Sequence, residues 1–171
     1  MLTAGLLLSA SACNPVSMAT RGLTEIRGAH GRVVPVREAA DGAYRRLGGV
    51  ELGRVANSIA PVCPSAVQRE LESSLIEKSA QASADLAGDD TCTVEVDITF
   101  YQKPGGALAV VGQGALLVGR ANLSSRQGGS FADLLVVVFS EAIRTTPAEV
   151  AEEFAELLVG HIRQRAGLGR G

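Results

Sequence analysis

Hydrophobic and polar residues alternate most regularly in the segment CTVEVDITFY, residues 92 to 101. Neighbouring side chains of a strand point to opposite faces of a sheet, so this alternation predicts a half-buried β-strand with one wet face. The predicted inner residues are Cys92, Val94, Val96, Ile98 and Phe100, and the predicted outer residues are Thr93, Glu95, Asp97, Thr99 and Tyr101.

Four other segments have strand-like patterns. GRVVPVRE (31 to 38) predicts an edge strand, because Pro35 cannot donate to a central ladder. A second strand is predicted near Val50 to Asn57, and residues 107 to 123 predict one long bent strand or two short ones, with glycines at the bends. DLLVVVFS (133 to 140) has an uninterrupted apolar run, which predicts a central strand covered on both faces.

Two segments have the 3.6-residue period of helices. The first runs from about residue 65 to 82, with a predicted capping box of Ser65 and Gln68 and an inner stripe of Val67, Leu71, Leu75 and Ile76. The second begins with a capping box of Thr146 and Glu149, has Pro147 at its first position and ends at Gly167. Its predicted inner stripe is Val150, Phe154, Leu157, Leu158, His161 and Ile162.

The order strand, helix, strand, strand, strand, helix predicts an α+β fold. We expect a two-layer sandwich, with a mostly antiparallel sheet of four to five strands and two helices packed on one face. The chain has 171 residues, which is the size of one domain. The divisions expected are a signal peptide over 1–12, a tether over 13–31 and a single α+β domain over 32–167.

Charge disfavours one class of partner. The formal net charge is −2, whereas nucleic-acid binding depends on clustered Lys and Arg, so no nucleic-acid partner is expected. Residues 19 to 54 nevertheless hold seven Arg against four acidic residues. This local excess is consistent either with attraction to anionic lipid headgroups or with a solvated arm.

The amino terminus has the pattern of an export signal. A short apolar run from Leu2 to Ser9 is followed by Ala10, Ser11, Ala12 and Cys13. This tetrad resembles the lipobox of bacterial lipoproteins, which implies that the Cys13 thiol carries diacylglycerol, that its amino group is acylated, and that the mature chain begins there. The run is too short to span a membrane as a helix. Two alternatives remain: the terminus of a cytosolic protein, or cleavage that releases a soluble secreted protein.

A wider resemblance follows from the leader, the strand and capped helix, CTVEVDITFY, GQGALLVGRANL with its following hairpin, and the closing amphipathic helix. Over residues 48 to 165 these elements resemble the small periplasmic α+β domains of bacterial envelope lipoproteins. That group is similar to domains of the penicillin-binding-protein activator lipoproteins and the curli-secretion lipoprotein. The resemblance implies a lipid-anchored protein on the periplasmic side of the cell envelope, at the outer membrane.

Cysteine usage leaves an alternative open. With Cys13 lipidated, Cys63 and Cys92 remain, and an exported chain tends to pair its cysteines. However, the predicted helix between them would place them at opposite ends of one unit, too far apart for a bond. The two readings are a disulfide between Cys63 and Cys92, or two buried thiols that pack as small hydrophobes.

No pattern of catalytic or metal-binding residues stands out. The two histidines are His30, in the predicted tether, and His161, on the inner stripe of the last helix. GQGALLVG has Leu117 where a dinucleotide fingerprint has its third glycine. We therefore expect no enzyme activity, no metal and no cofactor other than the lipid at Cys13.

The best candidate site is the polar side of the sheet. We expect six residues to share it as a partner-binding surface: Glu95, Asp97, Thr99, Tyr101, Arg120 and Asn122. The function expected is that of a membrane-anchored lipoprotein that binds or assembles an envelope protein or polymer without catalysis. The alternatives are a secreted binding module without lipid, and a small envelope enzyme.

Overall fold

The computed structural model describes residues 29–103, 114–127, 129–140 and 145–168. These residues form a five-stranded sheet of β1 (Ala29–Glu38), β2 (Leu47–Asn57), β3 (Asp90–Gln102), β4 (Leu116–Ser125) and β5 (Gly129–Ser140). The strand order is β1-β5-β4-β3-β2. The leader, Cys13, most of the predicted tether and residues 107–113 of the predicted bent strand lie outside the described residues.

Three of the four strand pairs are antiparallel, and β2 pairs with β3 in parallel. The parallel pair has a structural cause: helix α2 (Ser65–Asp85) connects these two strands, and a parallel pair requires such a crossover. Helix α3 (Pro147–Arg163) packs beside α2 on the same face of the sheet, and a π-helical turn (Gln164–Leu168) follows it. The short helix α1 (Asp41–Arg45) lies between β1 and β2. The predicted α+β sandwich, with a mostly antiparallel sheet and two helices on one face, is confirmed.

The core fills the space between the sheet and the two long helices. One close approach organises its centre, where the ring of Phe154 on α3 lies against Gly119 of β4. A β-carbon at Gly119 would lie 2.8 Å from two ring atoms of Phe154, so only glycine fits this position without displacement. The other large buried side chains include Tyr44, Leu71, Leu75, Ile98, Leu117, Leu134 and Leu158.

The two helix starts differ from each other. The capping box of Thr146 and Glu149 is present, with Pro147 as the first helical residue. The predicted capping box of Ser65 and Gln68 is wrong: Pro64 is the cap residue and makes no side-chain bond to the helix. Instead, Gln68 Nε2 donates a 2.9 Å hydrogen bond to the Val55 carbonyl and ties α2 to β2. Ile76, expected to be buried, is 56% exposed, because the inner stripe continues through Ser79 and Ala82.

An irregularity in β3 changes the faces of its last residues. The pairing with β4 shifts between Ile98 and Phe100, so Thr99 is an extra residue in the strand. Beyond this bulge the alternation is inverted: Tyr101 is buried and Phe100 is 46% exposed. The expected placement of Phe100 on the inner face and Tyr101 on the outer face is therefore wrong.

Strand β5 lies second in the sheet, between β1 and β4. Its inner face is buried, but the outer side chains Leu135 and Val137 are only half-buried and Phe139 is 39% exposed. The expectation that both faces are covered is wrong, because both long helices pack on a single face of the sheet. The apolar run therefore leaves an apolar strip on the outer face.

Cys63 and Cys92 are both buried free thiols in the structure. The Cys63 carbonyl accepts a hydrogen bond from Asn57, which pairs with Ile98, whereas Cys92 pairs with Val50 near the other end of β2. The six-residue step from Cys92 to Ile98 corresponds to roughly 20 Å of strand, well beyond the reach of a disulfide. The bridge is absent from the structure for this reason, and the thiols pack as hydrophobes. No helix in the described part of the chain has the length and apolar character needed to cross a membrane.

Candidate functional site: a polar depression on the outer sheet face

A shallow depression of about 240 Å³ lies on the outer face of the sheet, on the side away from α2 and α3. It is lined by residues of β2, β3 and β4: Arg54, Glu95, Val96, Asp97, Arg120 and Asn122. Strand register explains why they meet. Arg54 pairs with Glu95, Glu95 with Asn122, and Asp97 with Arg120, so their side chains emerge on one face.

Hydrogen bonds to neighbouring residues fix the side chains of Asp97 and Asn122. Asp97 accepts hydrogen bonds from the Ser58 hydroxyl at 2.7 Å and from the Ser58 backbone N–H at 3.2 Å. Asn122 Nδ2 donates to the Ser130 hydroxyl at 2.9 Å. These contacts hold the depression in one arrangement, which lowers the entropy cost of binding a ligand there.

Arg120 is fixed by Asp133 of β5. Its guanidinium forms a two-pronged ion pair with the carboxylate, in which Nε lies 2.7 Å from Oδ1. The hydrogen bonds from Arg120 hold the pKa of Asp133 below its ordinary value, against the opposing effect of burial. Arg37 of β1 adds a second positive charge near the same carboxylate. Asp133 therefore stays ionised and orients Arg120 toward the depression.

Two lining residues carry charges that no other described residue neutralises in an ion pair. Arg54 and Glu95 are exposed and lie opposite each other in the parallel register. Among the described residues, neither makes an ion pair or a side-chain hydrogen bond within ordinary distance. The depression therefore presents a cationic donor and an anionic acceptor side by side, with the Asn122 amide nearby.

Of the six residues expected to form the site, the structure brings four together: Glu95, Asp97, Arg120 and Asn122. Thr99 lies outside the depression, in the bulge, where its hydroxyl donates to the Val118 carbonyl at 3.3 Å. Tyr101 points to the inner face, where burial raises the pKa of its hydroxyl. Its expected place in the site is wrong because of the same bulge.

Sequence reasoning missed the residues that support the site. Arg54, Ser58, Ser130 and Asp133 all contact or complete the depression. The sequence does indicate Asp133. Its carboxylate directly precedes the apolar run from Leu134 to Phe139, and a carboxylate buried there needs a charged or hydrogen-bonding partner. The other three depend on strand order, which local patterns do not specify.

A second polar cluster lies at the carboxyl end of β1. Glu38 Oε1 accepts from the Tyr44 hydroxyl and from His161 Nε2, both at 2.7 Å, and lies 3.3 Å from Arg165 Nε. Arg165 also pairs with Asp41 at 2.7 Å and stacks over the Tyr44 ring at 5.5 Å from its centroid. His161, predicted to lie on the inner stripe, is thus partly buried in an ion-pair network. This cluster joins β1, α1 and the end of α3.

Within the described residues, no group of three or more His, Cys, Asp or Glu side chains is placed to hold a metal ion. The arrangement of the depression suits hydrogen bonding to a polar ligand, since it offers both donors and acceptors on an open surface.

Comparisons with known proteins give distant structural likenesses. No protein-family model matches the chain, and no curated protein matches it. Among solved structures, a PelC dodecamer from Paraburkholderia phytofirmans superposes with a TM-score of 0.49 and 14% sequence identity, over 77% of this chain and 96% of that one. A substituted PelC dodecamer from the same organism gives a TM-score of 0.46 and 14% identity, over 82% of this chain and 99% of the other.

Proposed function

We propose that this protein is a lipid-anchored module of the bacterial cell envelope that binds an envelope protein or polymer without catalysing a reaction. The observation that carries the binding role is the convergence of Glu95, Asp97, Arg120 and Asn122 in one open depression. In this proposal the anchor is Cys13, which lies outside the described residues, and the domain is on the periplasmic side at the outer membrane.

The chemistry of the depression supports a polar ligand. Arg54 and Arg120 are donors, Glu95 and Asp97 are acceptors, and the Asn122 amide is both. Sugar hydroxyls and peptide groups also combine donors with acceptors, so a glycan strand or a polar protein segment fits this surface. The fixed orientations of Asp97, Arg120 and Asn122 favour one binding geometry over many.

The anchor is tested by mass spectrometry of the mature amino terminus, in the wild type and in Cys13→Ser. We expect a wild-type terminal peptide that begins at Cys13 and carries three acyl chains, and a membrane fraction that contains the protein. The Cys13→Ser variant is expected to lack the lipid. An unmodified chain beginning at Met1, or a soluble product beginning after Cys13, would rule the anchor out.

The binding surface is tested by photo-crosslinking in intact cells. A benzophenone amino acid replaces Glu95 in one strain and Glu72, exposed on the helical side, in a matched strain. We expect a defined adduct only from the Glu95 position, and its loss when Arg54→Ala and Asn122→Ala are added. Digestion of the adduct by protease or by glycan hydrolase then separates a protein from a polymer. Equal adducts from both positions, or none from Glu95, would contradict the proposal.

A further inference from the structure

A groove runs between edge strand β1 and helix α3, on the side of the molecule opposite the polar depression. Its volume is about 450 Å³, and it is lined by Val33 of β1 and by residues of α3 and the following turn: Glu153, Glu156, Leu157, Gly160, His161 and Gln164. Counted from Glu153, the other residues of α3 and the turn lie at positions i+3, i+4, i+7, i+8 and i+11, so they form one face of the helix. From Glu153 to Gln164 the helical rise is about 16 Å, which matches about five residues of extended chain.

Strand β1 is an edge of the sheet: β5 pairs with one side of it, and no other described strand pairs with the other side. Such an edge presents backbone N–H and C=O groups to any additional strand. The carboxyl half is interrupted by Pro35, which has no N–H, and by the register shift between Pro35 and Arg37. The regular stretch that remains, Ala29–Val34, is the stretch next to the groove, since Gly31 lies against Leu157.

The opposite edge of the sheet offers no comparable stretch. The pairing of β2 shifts register between Leu47 and Gly49 and again between Leu52 and Arg54, so its edge is broken into short pieces. The amino half of β1 thus combines a regular edge with an adjoining groove.

The charges of the groove indicate the chemistry of its occupant. Glu153 is half-buried, and burial together with Glu156 and Glu152 raises the pKa of its carboxyl. Lys78 offsets part of this charge, at 3.5 Å from Glu156 and 3.9 Å from Glu152. His161 faces Glu38 and Arg165 rather than these carboxylates. His30 of β1 partly counteracts this rise in pKa but does not outweigh burial and the neighbouring carboxylates. The groove therefore keeps an excess of negative charge, which a cationic side chain would complement.

The outer side of the same edge is partly apolar. Val34 is 36% exposed and lies beside Leu135 in register, at the margin of the apolar strip that continues to Phe139. A strand added to β1 would place alternate side chains in the groove and over this strip. Basic side chains suit the positions that face the groove, and apolar side chains suit the positions that cover the apolar strip.

We infer that the Ala29–Val34 edge and the groove beside α3 bind an extended segment of another protein by strand addition, with Lys or Arg side chains facing Glu153 and apolar side chains on the outer face. Backbone hydrogen bonds to β1 would hold the segment, and the groove would select its sequence. This surface is separate from the depression at Glu95, so the inference does not depend on the proposed function.

The test uses the purified full chain and a fluorescent decapeptide of alternating lysine and valine. We expect saturable binding below about 1 mM, and binding at least about tenfold weaker for the matched glutamate and valine peptide. A peptide N-methylated at alternate positions loses backbone donors and is expected to bind at least about fivefold more weakly. Hydrogen exchange is expected to slow at the amides of Ala29–Val34, a change that a purely ionic contact would not cause.

Substitutions in the groove distinguish a loss of peptide binding from a loss of folding stability. A β-carbon at Gly160 would have no atom within 4 Å, so Gly160→Leu can project its side chain into the groove. We expect about a tenfold loss of affinity with unchanged or higher thermal stability. Glu153→Gln is expected to weaken binding about fivefold, and the control Glu72→Gln to leave it unchanged. No saturable binding, or equal binding by Gly160→Leu, would overturn the inference. So would concentration-dependent self-association that Gly160→Leu abolishes, because the occupant would then be a second copy of the chain.

Discussion

Glu38 and His161 are 123 positions apart in the chain, yet Glu38 Oε1 lies 2.7 Å from His161 Nε2. A carboxylate can only accept, so Nε2 carries the hydrogen of this bond. The same oxygen accepts from the Tyr44 hydroxyl, also at 2.7 Å. A single carboxylate therefore ties the end of β1 to α1 and to the end of α3.

The Tyr44 hydroxyl is expected to contribute measurably to stability. Tyr44 is fully buried, and Tyr44→Phe removes its hydrogen bond to Glu38 while keeping the ring in place. We expect the free energy of unfolding to fall by about 1 kcal/mol in urea denaturation. The control is Tyr101→Phe, another buried tyrosine, whose hydroxyl makes no hydrogen bond with the described residues. A larger loss in the control than in Tyr44→Phe would contradict this role.

Acid is expected to weaken the Glu38 cluster. Burial alone would raise the pKa of Glu38, but the hydrogen bonds from Tyr44 and His161 and the charges of His161 and Arg165 lower it below its ordinary 4.5. The unfolded chain thus takes up this proton first as the pH falls. The stability that Glu38 provides is complete above about pH 4.5 and is lost as the pH falls through the lower folded value.

The measurement is urea denaturation between pH 6 and pH 3. We expect Glu38→Gln to be less stable than the wild type at pH 6 and to lose less stability on acidification. The matched variant Glu72→Gln, which removes an exposed carboxylate of α2, is expected to keep the wild-type slope. If Glu38→Gln and the wild type lose stability in parallel, Glu38 is not the group that titrates.

The fold was largely predictable because its signals are local. The alternation of Cys92 to Ile98 and the capping box of Thr146 and Glu149 depend only on neighbours in the chain, and both are confirmed. The bulge at Thr99 has no such signal, and it reversed the placement of Tyr101. The partners of the site depend on which strands are adjacent: Arg120 meets Asp133 because β4 lies beside β5. That adjacency is a property of the whole sheet.

The contact between Gly119 and Phe154 predicts that replacing this strand glycine by alanine destabilises the fold. Gly119→Ala would normally favour a strand, but here its β-carbon would lie 2.8 Å from the Phe154 ring. We expect a loss of about 1–3 kcal/mol in the free energy of unfolding. The control Gly160→Ala lies in open space on α3 and is expected to gain about 0.5–1 kcal/mol. In a double-mutant cycle, Phe154→Leu should cost less in the Gly119→Ala background than in the wild type.

The cysteines are expected to titrate as two free thiols in the Cys13→Ser protein. Burial, with the nearby charges of Asp90 and Glu51, raises the pKa of the Cys92 thiol to about 12, so it should react very slowly with maleimide in the native state at pH 8. In denaturant without reductant, Cys63 and Cys92 should both react within minutes. A count of zero thiols per chain under those conditions would establish the disulfide instead.

The depression is expected to contain residues that stabilise the fold and residues that do not. Asp133 is mostly buried, so Arg120→Ala leaves its carboxylate without its main partner and should lower the midpoint of urea denaturation. Arg54→Ala and Glu95→Ala remove exposed charges and should change the free energy of unfolding by less than about 0.5 kcal/mol. If Arg54→Ala and Glu95→Ala keep wild-type stability, and Arg54→Ala abolishes the crosslink formed by the benzophenone residue at position 95, the depression serves binding. If they destabilise the domain as much as Arg120→Ala does, the depression is part of the structural framework and the binding role fails.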